Sequence, residues 1–276
     1  MKVKICNIRG DNFDADFLNS VINTGFAVIT HHGIDRSLIK EAQDVWREFF
    51  LSTPQEKNGF INRNDPNMGY KSFGSEKAVG AKKPDLKEFF HWQPGQEIPG
   101  EAFGITQKMF FMLEDLSDQL LAVLDTNSDR EAGFFRNACS RSDNTLMRPI
   151  YYPAMNSGPT EGAVRSAAHE DINFITLLVA ASASGLQVKD MTGRWHDVPH
   201  EENSVTVNIG DMLQLASHRL YKSTTHRVIN PTDSKSDRIS IPLFVHPNSE
   251  VVLAEGVTAG QYLQQRLDQI YLKVKP

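Results

Sequence analysis

The hydrophobic period of the chain changes near its midpoint. In the first half, apolar residues recur at helical spacing. Asp14 to Asn23 reads as a short helix, and the run Gly25-Phe26-Ala27-Val28-Ile29-Thr30 reads as a buried strand. Asp35 to Leu51 is helical through Leu38, Ile39, Ala42, Val45, Trp46 and Phe49/Phe50, and Ser52-Thr53-Pro54 is predicted to end it. Asn62 to Pro84, rich in Gly, Asn, Pro and Lys, reads as a long loop. The stripe Phe110, Leu113, Leu116, Leu120 and Leu124 predicts a helix over Thr106 to Leu124.

From Asn144 onward, short β-type runs follow one another. They are Leu146 to Tyr152, Ile172 to Val179, Leu186 to Val188, Ser204 to Ile209, Met212 to Leu215, His226 to Ile229 and Arg238 to Val245. Gly, Asn and Pro separate them, a spacing that predicts a β-sandwich or barrel. A last helix is predicted from Ala259 to Leu272. The expected fold is α+β: a double-stranded β-helix (jelly roll) over residues 144–258, a mainly helical part over 1–143, and a C-terminal helix within 259–276. No repeat, low-complexity tract or linker divides it, so residues 1–276 are expected to form one domain.

Composition narrows the function more than the fold. With 40% hydrophobic and 23% charged residues, the chain can build a sizeable core. Its 29 basic residues stand against 34 acidic ones, and no basic run is long enough to track phosphates. Nucleic acid and anionic membranes are therefore not expected partners, and nothing indicates a protein partner. Cys6 and Cys139 are too few for a disulfide framework or thiolate metal site. No apolar run would span a bilayer and the N-terminus lacks a signal-peptide pattern, so a reducing cytoplasm is expected.

Most of the nine histidines need no special explanation. His169 differs because Asp171 lies two residues on, and residues i and i+2 of a strand share a face. Imidazole and carboxylate could then converge on one ion, with Glu170 pointing away. A second His would complete a two-His, one-carboxylate set, which leaves positions open on iron(II). His226 lies in a β-prone stretch; His218, before Arg219-Leu220-Tyr221, is its competitor. Arg238-Ile239-Ser240 repeats the alternation, placing a planar fork of donors and a hydroxyl on one face. That pair suits a carboxylate, although without the metal motif beside it an edge-strand Arg facing a surface acid is the favoured reading.

The order of these segments resembles the isopenicillin N synthase-like family of iron(II)/2-oxoglutarate dioxygenases. The resemblance spans nearly the whole chain. It runs through Gly25 to Ile34, Gly69-Tyr70, Asp85 to Phe90, Asn208 to Leu213, Tyr221 to Val228, Arg238 to Ser240 and Ala259 to Leu263. It implies His169, Asp171 and His226 as the metal ligands, no catalytic side chain beyond them, and Asp211 as part of a scaffold turn. Arg238 and Ser240 are implied to hold the distal carboxylate of 2-oxoglutarate, assisted by Tyr152. Phe244 is implied to face substrate, and Tyr70 to close over it. The sequence departs from the family at Ile150, where Asn is common, and at Glu170, where Thr is common. Arg148 is the nearby candidate to supply the polar group that Ile150 lacks. The activity implied is oxidation of a small-molecule substrate by O2, by hydroxylation, desaturation or ring closure, with release of succinate and CO2. Ascorbate is a candidate reductant. The alternatives are a same-fold iron oxidase that does not use 2-oxoglutarate, of ascorbate type, and a non-catalytic jelly roll that only binds a small molecule.

Overall fold

The computed structural model describes residues 1–76, 84–154, 165–229 and 236–272. Part of the predicted loop, residues 77–83, therefore lies outside the described residues. The helices are α1 (Phe13–Thr24), α2 (Arg36–Leu51), α3 (Pro54–Asn58), α4 (Gly100–Thr126), α5 (Phe134–Cys139), α6 (Asp211–Ala216) and α7 (Ala259–Leu272). The first strands are β1 (Ile5–Asn7), β2 (Phe26–Thr30), β3 (Gly69–Lys71), β4 (Glu88–His91), β5 (Leu146–Met147), β6 (Ile150–Tyr152), β7 (Ser166–His169) and β8 (Ile175–Val179). Then come β9 (Leu186–Lys189), β10 (Trp195–Asp197), β11 (Val205–Ile209), β12 (His226–Val228), β13 (Arg238–Ser240), β14 (Pro242–Val245), β15 (Val252–Ala254) and β16 (Val257–Thr258).

Three sheets carry the structure. The largest runs β1-β2-β11-β8-β14-β5, antiparallel except for the β1–β2 pair. The second runs β10-β9-β12-β7 and the third β13-β6-β4-β3. The first two meet face to face where the Phe26 ring packs edge-on against His226, centroids 5.4 Å apart. Phe26, Val28 and Val188, all fully buried, lie in one apolar cluster there, so water is excluded from one side of the gap. On the outer face of the large sheet, α4 buries Leu113, Leu116, Leu120 and Leu124 and packs on α2, α5 and β14. The indole of Trp46 donates to Thr106 Oγ1 at 2.9 Å, pinning α2 to α4.

Where the chain departs from its apolar pattern, local chemistry explains it. Thr53 and Glu56 form a capping box with Pro54 at the first helical position, so Thr53-Pro54 opens α3 as well as closing α2. Ala102 and Ile105 extend the buried stripe of α4 ahead of Thr106, so this helix starts earlier than its leucines suggest. The predicted strand over Met212 to Leu215 is instead the short helix α6. Its first amides, of Asp211 and Met212, donate to the carbonyls of Asp171 and Ile172 at 2.8 and 3.0 Å, which turns the chain. The predicted strand Arg238 to Val245 divides at Pro242. A proline has no N–H for the ladder, and here β13 pairs with β6 while β14 crosses to β8.

Candidate metal centre

Backbone pairing brings the two histidines together. His169 on β7 and His226 on β12 are direct antiparallel partners, and their ring centroids lie 4.4 Å apart. Asp171 follows two residues after His169, just past the strand end. Its Oδ1 lies 3.6 Å from His169 Nε2 and 3.7 Å from His226 Nε2. One ligand atom from each of the three lies within 4.8 Å of the others, which is the spacing of donors about a single ion.

The remaining polar atoms of the trio are already engaged. His169 Nδ1 lies 2.7 Å from the Ala167 carbonyl, and His226 Nδ1 lies 3.1 Å from that of Thr224. A carbonyl only accepts, so each Nδ1 carries the proton and each Nε2 keeps its lone pair for a metal. Asp171 Oδ2 accepts from Thr176 Oγ1 at 2.6 Å and Asn208 Nδ2 at 2.8 Å, which leaves Oδ1 facing the imidazoles. Thr176 is on β8 and Asn208 on β11. The large sheet thus orients the carboxylate while the second sheet supplies the imidazoles.

Electrostatics favour a neutral His169 and an ionised Asp171. Burial, then the neighbouring His226, push the His169 pKa down to about 4. Burial opposes the charge of Asp171, but His226 and His169, with Asn208 and Thr176 as donors, hold its carboxyl below the usual range. The side chains of Asp171 and His226 are 6% and 9% exposed against 35% for His169, so the trio opens past His169. Two neutral imidazoles and one carboxylate, donor faces convergent and outer atoms satisfied, fit a divalent transition metal with open positions.

The neighbouring residues separate cleanly. Glu170 accepts from the Thr225 hydroxyl, pointing off the trio. His218 is exposed beside Asp129 at 3.2 Å, and Asp211 pairs with Arg266 of α7 at 3.2 Å. Arg238 and Tyr152 are register partners on β13 and β6, both 2% exposed; Ser240 sits opposite Ile150 on the same pair. The Arg238 guanidinium carbon lies 5.2 Å from the Tyr152 ring centre. Arg238 Nε donates to the Ala183 carbonyl at 3.0 Å, while its buried Nη1 has no partner among the described residues.

Phe244 on β14 pairs with Thr176 on β8. Register partners share a face, so Phe244 stands beside the residue that orients Asp171. Arg148 approaches the rings of Phe89 and Phe244, at 3.9 and 5.9 Å, and its Nη2 is held by Glu76 at 2.6 Å, while its buried Nε has no partner among the described residues. Tyr70 belongs elsewhere: its hydroxyl donates to Glu88 and its ring packs against Phe49 in the aromatic core. Sequence reasoning gives no site role to Thr176, to Asn208, which it places only within a resembling scaffold segment, or to Arg165, a fully buried cation four residues before His169. Strand alternation offers no signal for Arg165, because the register of β7 against β12 shifts between Ser166 and His169.

Comparison with known proteins agrees with this arrangement. Residues 144–247 match the 2OG-Fe(II) oxygenase superfamily, and residues 10–107 match the N-terminal region of the non-haem dioxygenase in morphine synthesis. The proline hydroxylase buaE of Petromyces alliaceus is 30% identical, over 95% of this chain and 95% of its own length. The chain belongs to the 2OG-Fe(II) oxygenase superfamily. Its isopenicillin N synthase-like resemblance and its jelly-roll fold are thereby shown. A full-length Neurospora crassa protein solved in complex with alpha-KG has a TM-score of 0.82 and 26% identity, covering 95% of this chain and 94% of that one. JOX2 in complex with 2OG, Fe and JA has a TM-score of 0.80 and 25% identity, covering 100% and 90%. This oxygenase uses iron(II) and 2-oxoglutarate, and the ascorbate-type oxidase alternative is not favoured. No helix among the described residues is long and apolar enough to cross a membrane.

Proposed function

We propose that this oxygenase hydroxylates a small-molecule substrate, with iron(II) held by His169, Asp171 and His226. The observation that carries this reading is the convergence of three ligand atoms within 4.8 Å while their outer atoms are satisfied by protein donors and acceptors. Bound iron(II) supplies the site at which O2 and 2-oxoglutarate react, giving hydroxylated substrate, succinate and CO2.

The protein's own residues do the rest. Arg238 and Ser240, with Tyr152 opposite, hold the distal carboxylate of 2-oxoglutarate; the unpartnered Nη1 of Arg238 among the described residues supports this. Phe244 forms an apolar wall for the substrate, supported by its place beside Thr176. The contacts of Tyr70 are those of packing, and we assign it no contact with substrate. Small-molecule chemistry is supported by the names of similar proteins. Among them are a proline hydroxylase, a scopoletin 8-hydroxylase and the Neurospora crassa protein in complex with alpha-KG and thymine. Two free buried cysteines fit a reducing cytoplasm.

The test is anaerobic iron(II) titration of His169→Ala, Asp171→Ala, His226→Ala and His218→Ala. The first three are expected to lose stoichiometric binding at micromolar metal, and the last to retain it. Stoichiometric binding by Asp171→Ala would overturn the ligand set. Substrate-stimulated succinate release across a metabolite library then identifies the substrate class.

A further inference from the structure

Arg165 precedes β7 and is fully buried, yet most of its donors are idle. Its Nη2 donates to the Ser236 carbonyl at 2.7 Å, while Nε and Nη1 have no partner among the described residues. Arg238 has one idle nitrogen, Nη1; its Nε donates to the Ala183 carbonyl, and its side chain is hydrogen-bonded to Tyr152. Both guanidiniums approach one ring: their central carbons lie 5.9 Å (Arg165) and 5.2 Å (Arg238) from the centre of Tyr152.

Two buried like charges beside one tyrosine are unfavourable on their own. Burial lowers the pKa of each, and the charge of Arg238 lowers that of Arg165 further. No carboxylate of the described residues forms an ion pair with either guanidinium. Asp237, adjacent in sequence, is taken by Arg47 at 2.9 Å and hydrogen-bonded to Tyr151. A buried donor without an acceptor costs its full desolvation, and a buried charge without a partner costs more. Such a pair persists in a folded protein when a ligand supplies the missing anion. Three idle nitrogens around one ring match the two oxygens of a carboxylate, each able to accept two hydrogen bonds.

We propose that Arg165 is a second cationic clamp on the distal carboxylate of 2-oxoglutarate, sharing with Arg238 the pocket beside Tyr152. This rests on the reading that Arg238 faces that carboxylate. It goes beyond it by making the anion pocket doubly charged and by tying it to the strand that carries His169. Arg165 immediately precedes β7, the strand that ends in His169. The anion pocket and the first imidazole are then borne by one short segment.

The experiment is calorimetric titration of the Mn(II)-loaded protein with 2-oxoglutarate and with 2-oxopentanoate, which has the same carbon chain but no distal carboxylate. Wild type is expected to favour 2-oxoglutarate strongly. Arg165→Gln is expected to weaken 2-oxoglutarate binding about ten- to a hundredfold, the loss of a charge-assisted hydrogen bond, and to leave 2-oxopentanoate within about twofold. Arg165→Lys, which keeps the charge and loses the fork, is expected to recover part of the discrimination. If Arg165→Gln binds both keto acids as wild type does, while Arg238→Gln loses discrimination, the second clamp is overturned and the Arg238 reading stands. If wild type itself does not discriminate, both fail. If Arg165→Gln and Arg165→Lys lose both ligands equally, Arg165 is a structural residue and the proposal is overturned.

Discussion

Replacing Asn208 by Ala tests whether the large sheet tunes the metal site. Asn208 lies on β11 and donates to Asp171 Oδ2 at 2.8 Å; Thr176 Oγ1 donates to the same oxygen at 2.6 Å. Together they turn Oδ1 toward the two Nε2 atoms, 3.6 and 3.7 Å away. The variant removes one hydrogen bond to a buried charge, worth about 1.5–3 kcal/mol. At about 1.4 kcal/mol per tenfold, iron(II) affinity is expected to fall roughly ten- to a hundredfold, the range typical of lost outer-sphere partners. Complete loss is not expected, because Thr176 still holds Oδ2. Anaerobic iron(II) titration of the folded variant measures the effect, with a thermal melt of the metal-free protein run alongside. That protein is expected to be less stable too, since a buried carboxylate has lost a donor. Folded Asn208→Ala with wild-type iron affinity would refute the view that this bond orients the ligand.

Arg238→Lys should raise the 2-oxoglutarate concentration needed for succinate release about ten- to a hundredfold, with iron affinity unchanged, because Lys lacks the two-pronged fork; an unchanged requirement would place the carboxylate elsewhere. Ser240→Ala should cost less, about 1 kcal/mol. Gly25→Ala should destabilise the protein by at least about 1–2 kcal/mol, the cost of a left-handed residue with a Cβ. Gly25 has φ 72°, and a Cβ there would meet Thr224 Oγ1 at 2.3 Å, in the residue whose carbonyl holds His226. Chemical denaturation together with iron titration checks it, and wild-type values in both would refute it. Burial pushes His246 down to about 4, and burial with Arg148 pushes His91 to about 3. The unfolded chain takes up these protons near pH 6.5 while the folded one does not, so their neutral burial is without penalty above that pH. Stability is then lost as pH falls toward 4, by about 1.4 kcal/mol per group for each unit below 6.5. Unfolding free energies from urea titration at pH 7.5 and 5.5 should differ by roughly 3 kcal/mol for the two groups together, and His246→Gln should remove its share; an unaltered pH slope in that variant would refute the assignment.

His169-Glu170-Asp171 and Arg238-Ile239-Ser240 are legible in the chain because a strand of period two puts alternate side chains on one face. The helices α1, α2 and α7 are legible because their apolar residues recur at helical spacing over three or more turns. The family resemblance rests on the same local segments. Short or interrupted segments are not legible in this way. Six residues are too few to establish a period, so α6 reads as a strand by its apolar content, and its amides on the Asp171 and Ile172 carbonyls make it a helix. Arg238 to Val245 reads as one strand because its apolar run does not reveal which sheet each half joins; Pro242 and the partners β6 and β8 decide that. The partner of His169 is open between His226 and His218 on residue type, and only the β7–β12 register brings His226 opposite. Thr176 and Asn208 on Asp171, and Arg165 beside Arg238, come from segments far apart in the chain. Sequence carries the chemistry that acts within one strand. The contacts that orient and charge the site cross between sheets, and only the packing of those sheets determines them.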